Sequence, residues 1–318
     1  MSFFYSQLFV KPAYPTRMLN GQTVIVTGSN TGLGKEAARH FARLGAAKLI
    51  LAVRNTKAGE AARADIEKTT QCRAGTVEVW PLDLGDYASV KAFAARAAKD
   101  LDRVDVLCEN AGIATGKKRM VQGHESTITV NVISTFLLAL LMLPQLKETA
   151  RRHGTRPTLT IVSSEVHGWA KLAERKDPAG LLAALDASDD LGERYPASKL
   201  LEVLVVRQIA PRLKGSGVTL NMLNPGLCHS ELSRDANIGL EVMKLFLARS
   251  TEVGSRTLVA AAVAGEGSHG SYMSDGVVAD RKLSAFVQSE DGDSTGQKLW
   301  KELSQVLEKI EPGVTGNI

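Results

Sequence analysis

The chain has 318 residues, of which 44% are hydrophobic and 23% are charged. This composition is typical of a globular protein and excludes a disordered chain, a collagen-like repeat and a disulfide scaffold. Lys and Arg outnumber Asp and Glu by 39 to 34, so the net charge is a mild +5. Since basic and acidic residues are interspersed and only 5% are aromatic, the sequence predicts no nucleic-acid-binding surface.

The cysteine residues and the hydropathy of the chain indicate where in the cell the protein is located. Cys72, Cys108 and Cys228 lack the spacing of metal ligands or of a disulfide framework, so we expect free thiols in the cytoplasm and no metal site. The longest apolar run, 136–143, falls short of the roughly 20 residues needed to span a bilayer. The apolar N-terminal extension, 1–20, lacks the features of a signal peptide. We expect it to pack on the body of the protein or to touch a membrane surface weakly.

From residue 22, short β-branched runs alternate with longer amphipathic runs. The short runs predict strands at 23–27, 48–53, 77–82, 105–108, 158–162 and 218–223. The longer runs predict helices at 35–44, 56–70, 87–101, 126–149 and 196–213. Strict alternation with uniformly apolar strands predicts a single α/β domain with a doubly wound parallel sheet, the Rossmann fold.

We expect this domain to span 21–285. Two irregular segments, near 165–194 and 231–250, predict substrate loops, because long irregular segments in compact domains are usually functional. The remaining residues, 286–318, are polar and predict a peripheral tail.

A glycine-rich turn follows the first strand and opens the first helix. It contains Gly28, Gly32 and Gly34, with Asn30 and Leu33 between them. Glycines let a backbone approach a pyrophosphate closely, and a helix N-terminus offers free N–H groups and a favourable dipole. The strand–turn–helix context therefore predicts that these five residues bind a nucleotide.

The end of the second strand would meet the adenosine ribose of a dinucleotide. An acidic residue there would bond the free 2′-hydroxyl and repel a 2′-phosphate. This chain instead has Arg54, which can pair with a phosphate in a bidentate way, and Lys57 nearby. The sequence therefore favours NADP(H), the alternative being that Arg54 is a solvated surface cation.

Tyr195 and Lys199 are four residues apart, so a helix would place them on one face. Hydride transfer to a carbonyl leaves an alkoxide that must be protonated, and a phenol with a pKa of about 10 is a poor acid–base group near neutral pH. A neighbouring ammonium lowers the pKa of the phenol and could also hold the nicotinamide ribose. The pair therefore predicts acid–base catalysis, the alternative being a solvated helix face.

The Gly-x-x-x-Gly-x-Gly spacing, the Asn-Ala-Gly at 110–112, the Tyr–Lys pair and the Asn-Pro-Gly at 224–226 occur in this order along the chain. Together they resemble the short-chain dehydrogenase/reductase family over roughly residues 20–280. The chain is most similar to the retinol-dehydrogenase-like branch, and the runs 8–12 and 53–55 also resemble fungal reductases of secondary metabolism.

The resemblance implies roles for two more side chains in catalysis. Ser164 would polarise the substrate oxygen, the alternative being its neighbour Ser163. Asn131 would complete a proton relay through water to Lys199, the alternative being a buried Asn that holds a helix bulge. Glu109 stands where the family usually has Asn, which weakens a supporting contact.

The resemblance also implies the remaining cofactor contacts. Asp83 and Leu84 would meet the adenine, although Asp83 could also cap the next helix. Ser230 stands where the family usually has Thr and could bond the nicotinamide carboxamide. Besides the glycine-rich turn and Arg54, the implied set is Asp83, Leu84, Asn110, Ala111, Gly112, Tyr195, Lys199, Pro225, Gly226 and Ser230.

These residues predict an NADP(H)-dependent oxidoreductase that interconverts a ketone or aldehyde and an alcohol, with a small hydrophobic or secondary-metabolite substrate. Two alternatives stay open: a non-catalytic NADP(H)-binding sensor or scaffold, and a peripheral membrane enzyme that acts on lipid-like substrates. The helices at 126–149 and 196–213 resemble the pair that the family uses for homodimers, although their apolar surfaces could equally form core.

Overall fold

The computed structural model describes residues 3–229 and 247–318. The α-helices of this part are α1 (Phe3–Phe9), α2 (Gly32–Arg43), α3 (Thr56–Thr70), α4 (Tyr87–Asp100), α5 (Ser126–His153), α6 (Leu181–Ala187), α7 (Leu191–Ile209), α8 (Thr251–Ala262) and α9 (Glu290–Ile310). Its strands are β1 (Thr23–Thr27), β2 (Lys48–Val53), β3 (Val77–Pro81), β4 (Val106–Glu109), β5 (Met120–Val121), β6 (His124–Glu125), β7 (Thr158–Val162), β8 (Thr219–Asn224), β9 (Tyr272–Ser274) and β10 (Val277–Val278).

Eight strands form the central sheet, in the order β10-β9-β8-β7-β4-β1-β2-β3. All its neighbouring pairs are parallel except β9–β10. The predicted doubly wound sheet is therefore confirmed, and β9 and β10 extend it beyond the predicted strands. The order reverses between β1 and β4, and in open α/β sheets such a switch point is where ligands bind.

Helices cover both faces of the sheet, which explains why the strands are apolar throughout. Ile25 of β1 packs with residues of α4, α5 and α7. Val24 and Val26 point the other way and pack with residues of α2, α3 and α8. Because successive residues of a strand point to opposite faces, a sheet covered on both sides needs an apolar residue at every position.

The central helix α5 is the described helix that is long and apolar enough to cross a membrane. In the fold, 89% of its most apolar window is buried. The expectation that no segment reaches this length was therefore wrong, since it rested only on the run 136–143. Leu137 of α5 and Leu204 of α7 are fully buried within this one chain, so the apolar residues that suggested a dimer interface lie largely in the core.

The first predicted substrate loop, 165–194, is more ordered than the sequence suggested. It contains α6 and the start of α7, and Leu181 and Leu185 of α6 are buried in the core. The helix predicted at 196–213 begins five residues earlier, where the Asp190 side chain accepts a hydrogen bond from Glu193 N at 3.4 Å. The second predicted loop, 231–250, lies outside the described residues up to position 246.

The predicted peripheral tail is wrong, because residues 290–310 form the core helix α9. Leu299, Leu303 and Leu307 are fully buried at helical spacing. Glu302 on the same helix accepts hydrogen bonds from the first two backbone N–H groups of α6, at 3.0 and 2.9 Å. The C-terminal helix therefore caps α6 and holds the segment that precedes α7.

The N-terminal helix α1 packs on the body of the protein, as the first of the two expectations stated. Gln7 Nε2 donates to Leu227 O at 2.9 Å and to Leu247 O at 3.0 Å, and Gln7 Oε1 accepts from Leu227 N at 3.3 Å. Arg249 Nη2 donates to Ser6 O at 2.8 Å. The rings of Phe4 and Phe9 are exposed, so weak contact with a membrane surface stays a prediction.

We expect Gln7→Ala to lower the free energy of unfolding by about 1–3 kcal/mol, because it removes three hydrogen bonds from the Gln7 amide to half-buried backbone groups of Leu227 and Leu247. Urea denaturation measures this difference. The control is Phe9→Ala, whose ring is 73% exposed and should change stability by less than about 0.5 kcal/mol. Equal stability of the two variants would contradict a structural role for the Gln7 amide.

Candidate active site

The candidate site lies at the carboxyl ends of β1, β4 and β7, beside the first turns of α7. Thr27, the last residue of β1, connects two of its turns. The Thr27 hydroxyl oxygen accepts hydrogen bonds from Asn110 N at 3.0 Å and Ala111 N at 2.9 Å. Asn110 Nδ2 donates to Thr27 O at 2.9 Å. The glycine-rich turn and the 110–112 turn are thus held together by hydrogen bonds to Thr27.

Two glycines of the first turn are required by close packing. Gly28 has φ +65°, and a Cβ on it would lie 2.9 Å from the Ala111 Cα. A Cβ on Gly34 would lie 2.7 Å from Gly28 O. A side chain at either position would therefore push the turn away from β4 or push α2 away from the turn.

The N-terminus of α2 is open to an anion. Thr31 is its N-cap residue, but its side chain makes no capping hydrogen bond, and the first turn of α2 has no acidic residue. The N–H groups of this turn are therefore available to a ligand, and the helix dipole favours a negative one. With the tight approach at Gly28 and Gly34, the turn fits the pyrophosphate of a dinucleotide.

Arg54 follows β2 at the same edge of the sheet. Its side chain is exposed and forms no ion pair with any residue in 3–229 or 247–318. Lys57 nearby is also exposed. The position is compatible with a phosphate partner and with the solvated cation that the sequence left open.

Asp83 and Leu84 lie in the turn after β3. Asp83 Oδ1 accepts a hydrogen bond from Gly85 N at 2.8 Å, which shapes the turn. The N-cap of α4 is Asp86, which accepts from Ala88 N at 3.0 Å, so the alternative in which Asp83 caps this helix is wrong. The side chain of Leu84 is buried in the core.

Tyr195 and Lys199 lie on one face of α7, as predicted, with Lys199 Nζ 5.7 Å from the centre of the Tyr195 ring. The Ser164 hydroxyl accepts a hydrogen bond from Val166 N at 3.3 Å and lies close enough to the Tyr195 phenol to lower its pKa. The Ser163 hydroxyl instead donates to Lys199 O at 3.0 Å. The structure therefore brings Ser164, rather than Ser163, to the phenol.

Asn131 lies in a segment of π-helical geometry, Thr129–Ser134, inside α5. Its amide donates to Ile113 O at 2.9 Å and to Ser198 Oγ at 3.0 Å, and its Oδ1 accepts from Ile113 N at 2.8 Å. The Asn131 side chain thus ties the turn after β4 to α7. This is the geometry of a structural Asn at a helix bulge, and a part in proton transfer stays a proposal.

Lys199 has a partner that the sequence did not indicate. Its Nζ donates to Val162 O at 2.9 Å and to Glu202 Oε1 at 2.7 Å. Both side chains of this ion pair are buried, at 5% and 3% exposure. The only sequence signal was the i, i+3 spacing on a helix, which is common between solvated residues.

Burial raises the pKa of the Tyr195 phenol, and the Glu202 carboxylate adds to this rise. The Lys199 ammonium and the Ser164 hydroxyl lower the pKa of Tyr195, but the net direction is upward. The expectation that Lys199 holds the pKa below that of a free phenol is therefore wrong for this arrangement of side chains. The sequence did not show that the phenol is buried, which is the main cause of the rise, nor that the Glu202 carboxylate adds to it.

The turn after β8 contains Pro225 and Gly226. Gly226 has φ +80°, and a Cβ on it would clash with Gln7 Oε1, so α1 packs directly against this turn. Ser230 lies outside the described residues. Within the described part, no group of three or more His, Cys, Asp or Glu residues could hold a metal ion.

Comparison with known proteins places this geometry in a family. The model of the short chain dehydrogenase family matches residues 22–165. The chain is 52% identical to the short chain dehydrogenase/reductase dmxR8 of Cryptosporiopsis sp., over the whole of both chains. It is 43% identical to the short-chain dehydrogenase anuD of Penicillium roqueforti, covering 99% of this chain and 84% of anuD. These fungal relatives confirm the predicted resemblance, whereas the retinol-dehydrogenase-like placement stays a prediction.

Solved structures support the fold. A complex of RhlG with NADP from Pseudomonas aeruginosa matches with a TM-score of 0.64 and 21% identity, over 82% of this chain and 97% of that one. The 3-ketoacyl-(acyl-carrier-protein) reductase of Brucella melitensis, solved with NADH, matches with a TM-score of 0.61 and 21% identity, over 80% of this chain and 97% of that one. Combined with its close relatives and the shared turns, the fold identifies the chain as a member of the short-chain dehydrogenase/reductase family, and thus as an oxidoreductase built to bind a nicotinamide cofactor.

Proposed function

We propose that the protein is an NADP(H)-dependent enzyme that interconverts a carbonyl compound and an alcohol. The observation that carries this proposal is the meeting of Tyr195, Lys199 and Ser164 at the end of β7. An acid–base group, a cation and a hydroxyl group converge there, and a Cβ on Gly112 in the turn after β4 would lie 3.8 Å from Lys199 Nζ.

In the direction of reduction, the cofactor supplies a hydride to the carbonyl carbon when it is bound. Ser164 donates a hydrogen bond to the carbonyl oxygen, which orients and polarises it. Tyr195 donates its phenolic proton to the developing alkoxide. Because its pKa is raised, the phenol carries this proton before the reaction. The Lys199 ammonium stabilises the phenolate that remains, and Asn131 holds α7 against the turn after β4.

The preference for NADP(H) rests on Arg54 after β2, whose exposed side chain forms no ion pair with the described residues. We expect Arg54→Asp to weaken NADP(H) binding by about 1.5–3 kcal/mol, typical of a lost hydrogen bond to a charged group, and to favour NAD(H). Fluorescence titration with both reduced cofactors measures the ratio of the two dissociation constants. The control is Arg73→Asp, an exposed residue in the turn before β3, which should leave the ratio unchanged. An unchanged ratio for Arg54→Asp would mean that Arg54 is a bystander.

The substrate is proposed to be a small hydrophobic or secondary-metabolite molecule. The fungal relatives and the exposed aromatic rings of α1 beside the turn after β8 support this class. A cytoplasmic location is proposed from the free thiols of Cys72, Cys108 and Cys228.

The experiment that tests the function is a screen of a metabolite library, read as loss of NADPH absorbance at 340 nm. Turnover of a ketone or aldehyde would support the enzyme. Tight NADP(H) binding without turnover of any carbonyl or alcohol in a broad library would favour the alternative, a sensor or scaffold.

A further inference from the structure

The ammonium of Lys199 has three N–H donors, and two of them are occupied inside the protein. One bonds Val162 O at 2.9 Å and one bonds Glu202 Oε1 at 2.7 Å. Two fixed partners leave a single N–H to face Tyr195 and the cofactor turn. The direction of that N–H is therefore set by the carboxylate as much as by the helix that carries Lys199.

A second buried carboxyl group lies behind this ion pair. Glu109 ends β4 and is 3% exposed. Since it is two residues from Leu107, which packs with α5 and α7, its side chain lies on the same face of the sheet as α7. Neither of its oxygens makes a hydrogen bond to a described residue, and the second oxygen of Glu202 makes none either.

Burial without hydrogen bonds favours the neutral form of a carboxyl group. Burial and the nearby Glu202 charge both raise the pKa of Glu109 well above its ordinary value. Glu202 differs because it has an ammonium partner, and burial raises its pKa to about 7. Of the two carboxyl groups, Glu202 is therefore the one whose charged form is favoured, because its Oε1 accepts a hydrogen bond from the Lys199 ammonium at 2.7 Å.

We propose that Glu202 is a positioning residue whose carboxylate aims the Lys199 ammonium and limits how strongly that ammonium stabilises the Tyr195 phenolate. The proposal rests on the acid–base function proposed above for Tyr195 and Lys199. The charged and titratable groups that face Glu202 are these two residues on α7 and Glu109 on β4.

The sign of the effect does not depend on which group of the pair gives up its proton. Tyr195 and Lys199 are coupled, so the first proton to leave belongs to the pair. Removing a neighbouring negative charge makes that loss easier, whether the product is a phenolate beside an ammonium or a phenol beside an amine. Glu202→Gln keeps the size of the side chain and an acceptor oxygen but removes the charge.

The test is the pH profile of kcat/KM for alcohol oxidation, in which activity rises as the pair loses its proton. We expect Glu202→Gln to move this rise to lower pH by roughly one unit or more, as one close charge does. Glu202→Asp keeps the charge but shortens its reach, so it should lower kcat while leaving the rise within about 0.3 unit of the parent. Glu109→Gln changes a carboxyl group whose neutral form is favoured by burial and leaves the Glu202–Lys199 ion pair intact, so it should also leave the rise in place.

A second readout does not depend on turnover. Difference absorbance of the Tyr195 phenolate, taken against Tyr195→Phe, should show ionisation at lower pH in Glu202→Gln than in the parent. Unshifted profiles in Glu202→Gln, or a shift only in Glu109→Gln, would overturn the proposal. Normal turnover in Tyr195→Phe would instead overturn the proposed function, so the two failures are distinguishable.

Discussion

Tyr195→Phe should reduce turnover by at least roughly 10²–10⁴-fold, the range for loss of a general acid–base group. The substitution removes only a hydroxyl from a ring that packs at the start of α7, so the fold and the cofactor affinity should survive. Steady-state assays at 340 nm give the turnover, and fluorescence titration gives the NADPH dissociation constant. The matched control is Tyr14→Phe, since Tyr14 is 49% exposed and packs near His40, away from the site.

Lys199→Ala tests the other half of the pair. It should lower turnover and also weaken cofactor binding, if its remaining N–H holds the ribose. It also leaves the Glu202 carboxylate buried without its ammonium, which destabilises the fold by several kcal/mol or leads to protonation of Glu202. The double variant with Tyr195→Phe should lose little more activity than either single one, because both residues serve one proton transfer. A fully additive loss, or normal activity of Tyr195→Phe, would contradict the assignment.

The sequence predicted the structure best at positions that can be filled in only one way, such as an apolar residue in a buried strand or a glycine in a tight turn. β1, β2 and β7 were predicted with their observed bounds, because strands covered on both faces need uninterrupted apolar residues. Gly28 and Gly34 were identified because glycines let a backbone approach a pyrophosphate closely, and the fold shows in addition that a side chain at either position would clash with its neighbours. The hydrogen bonds that join the 110–112 turn to Thr27 were not predicted from the sequence and are seen only in the fold.

The sequence was least informative where a polar residue is buried. In the sequence, Glu202 resembles a solvated residue of a helix, and Glu109 resembles a solvated residue at the end of a strand. Only the fold shows that both side chains are buried near Lys199. The helix α9 was missed for a related reason: its charged residues hide the apolar spacing of Leu299, Leu303 and Leu307. Short strands such as β9, with three residues, carry too little pattern to be predicted.

Gly34→Ala should disrupt the nucleotide turn. Alanine favours a helix over glycine by about 1 kcal/mol, and this position is in the first turn of α2. The added Cβ would however lie 2.5 Å from Asn110 Nδ2 and 2.7 Å from Gly28 O. The Asn110 amide can rotate, but Gly28 O is backbone and belongs to the turn itself, so α2 has to move outward. We expect a net loss of about 1–3 kcal/mol of stability, typical of overpacking.

Gly34→Ala should lower the affinity for the cofactor by more than its effect on folding stability alone would, because the N–H groups of α2 move away from the pyrophosphate. We expect the NADPH dissociation constant to rise by at least about tenfold, equivalent to about 1.4 kcal/mol. Gly116→Ala is the matched control, since its Cβ would meet no atom within 4 Å and its φ needs no glycine. Fluorescence titration and urea denaturation on both variants separate affinity from stability. If Gly34→Ala bound NADPH as tightly as Gly116→Ala does, close approach of α2 to the turn would not be what forms the cofactor site.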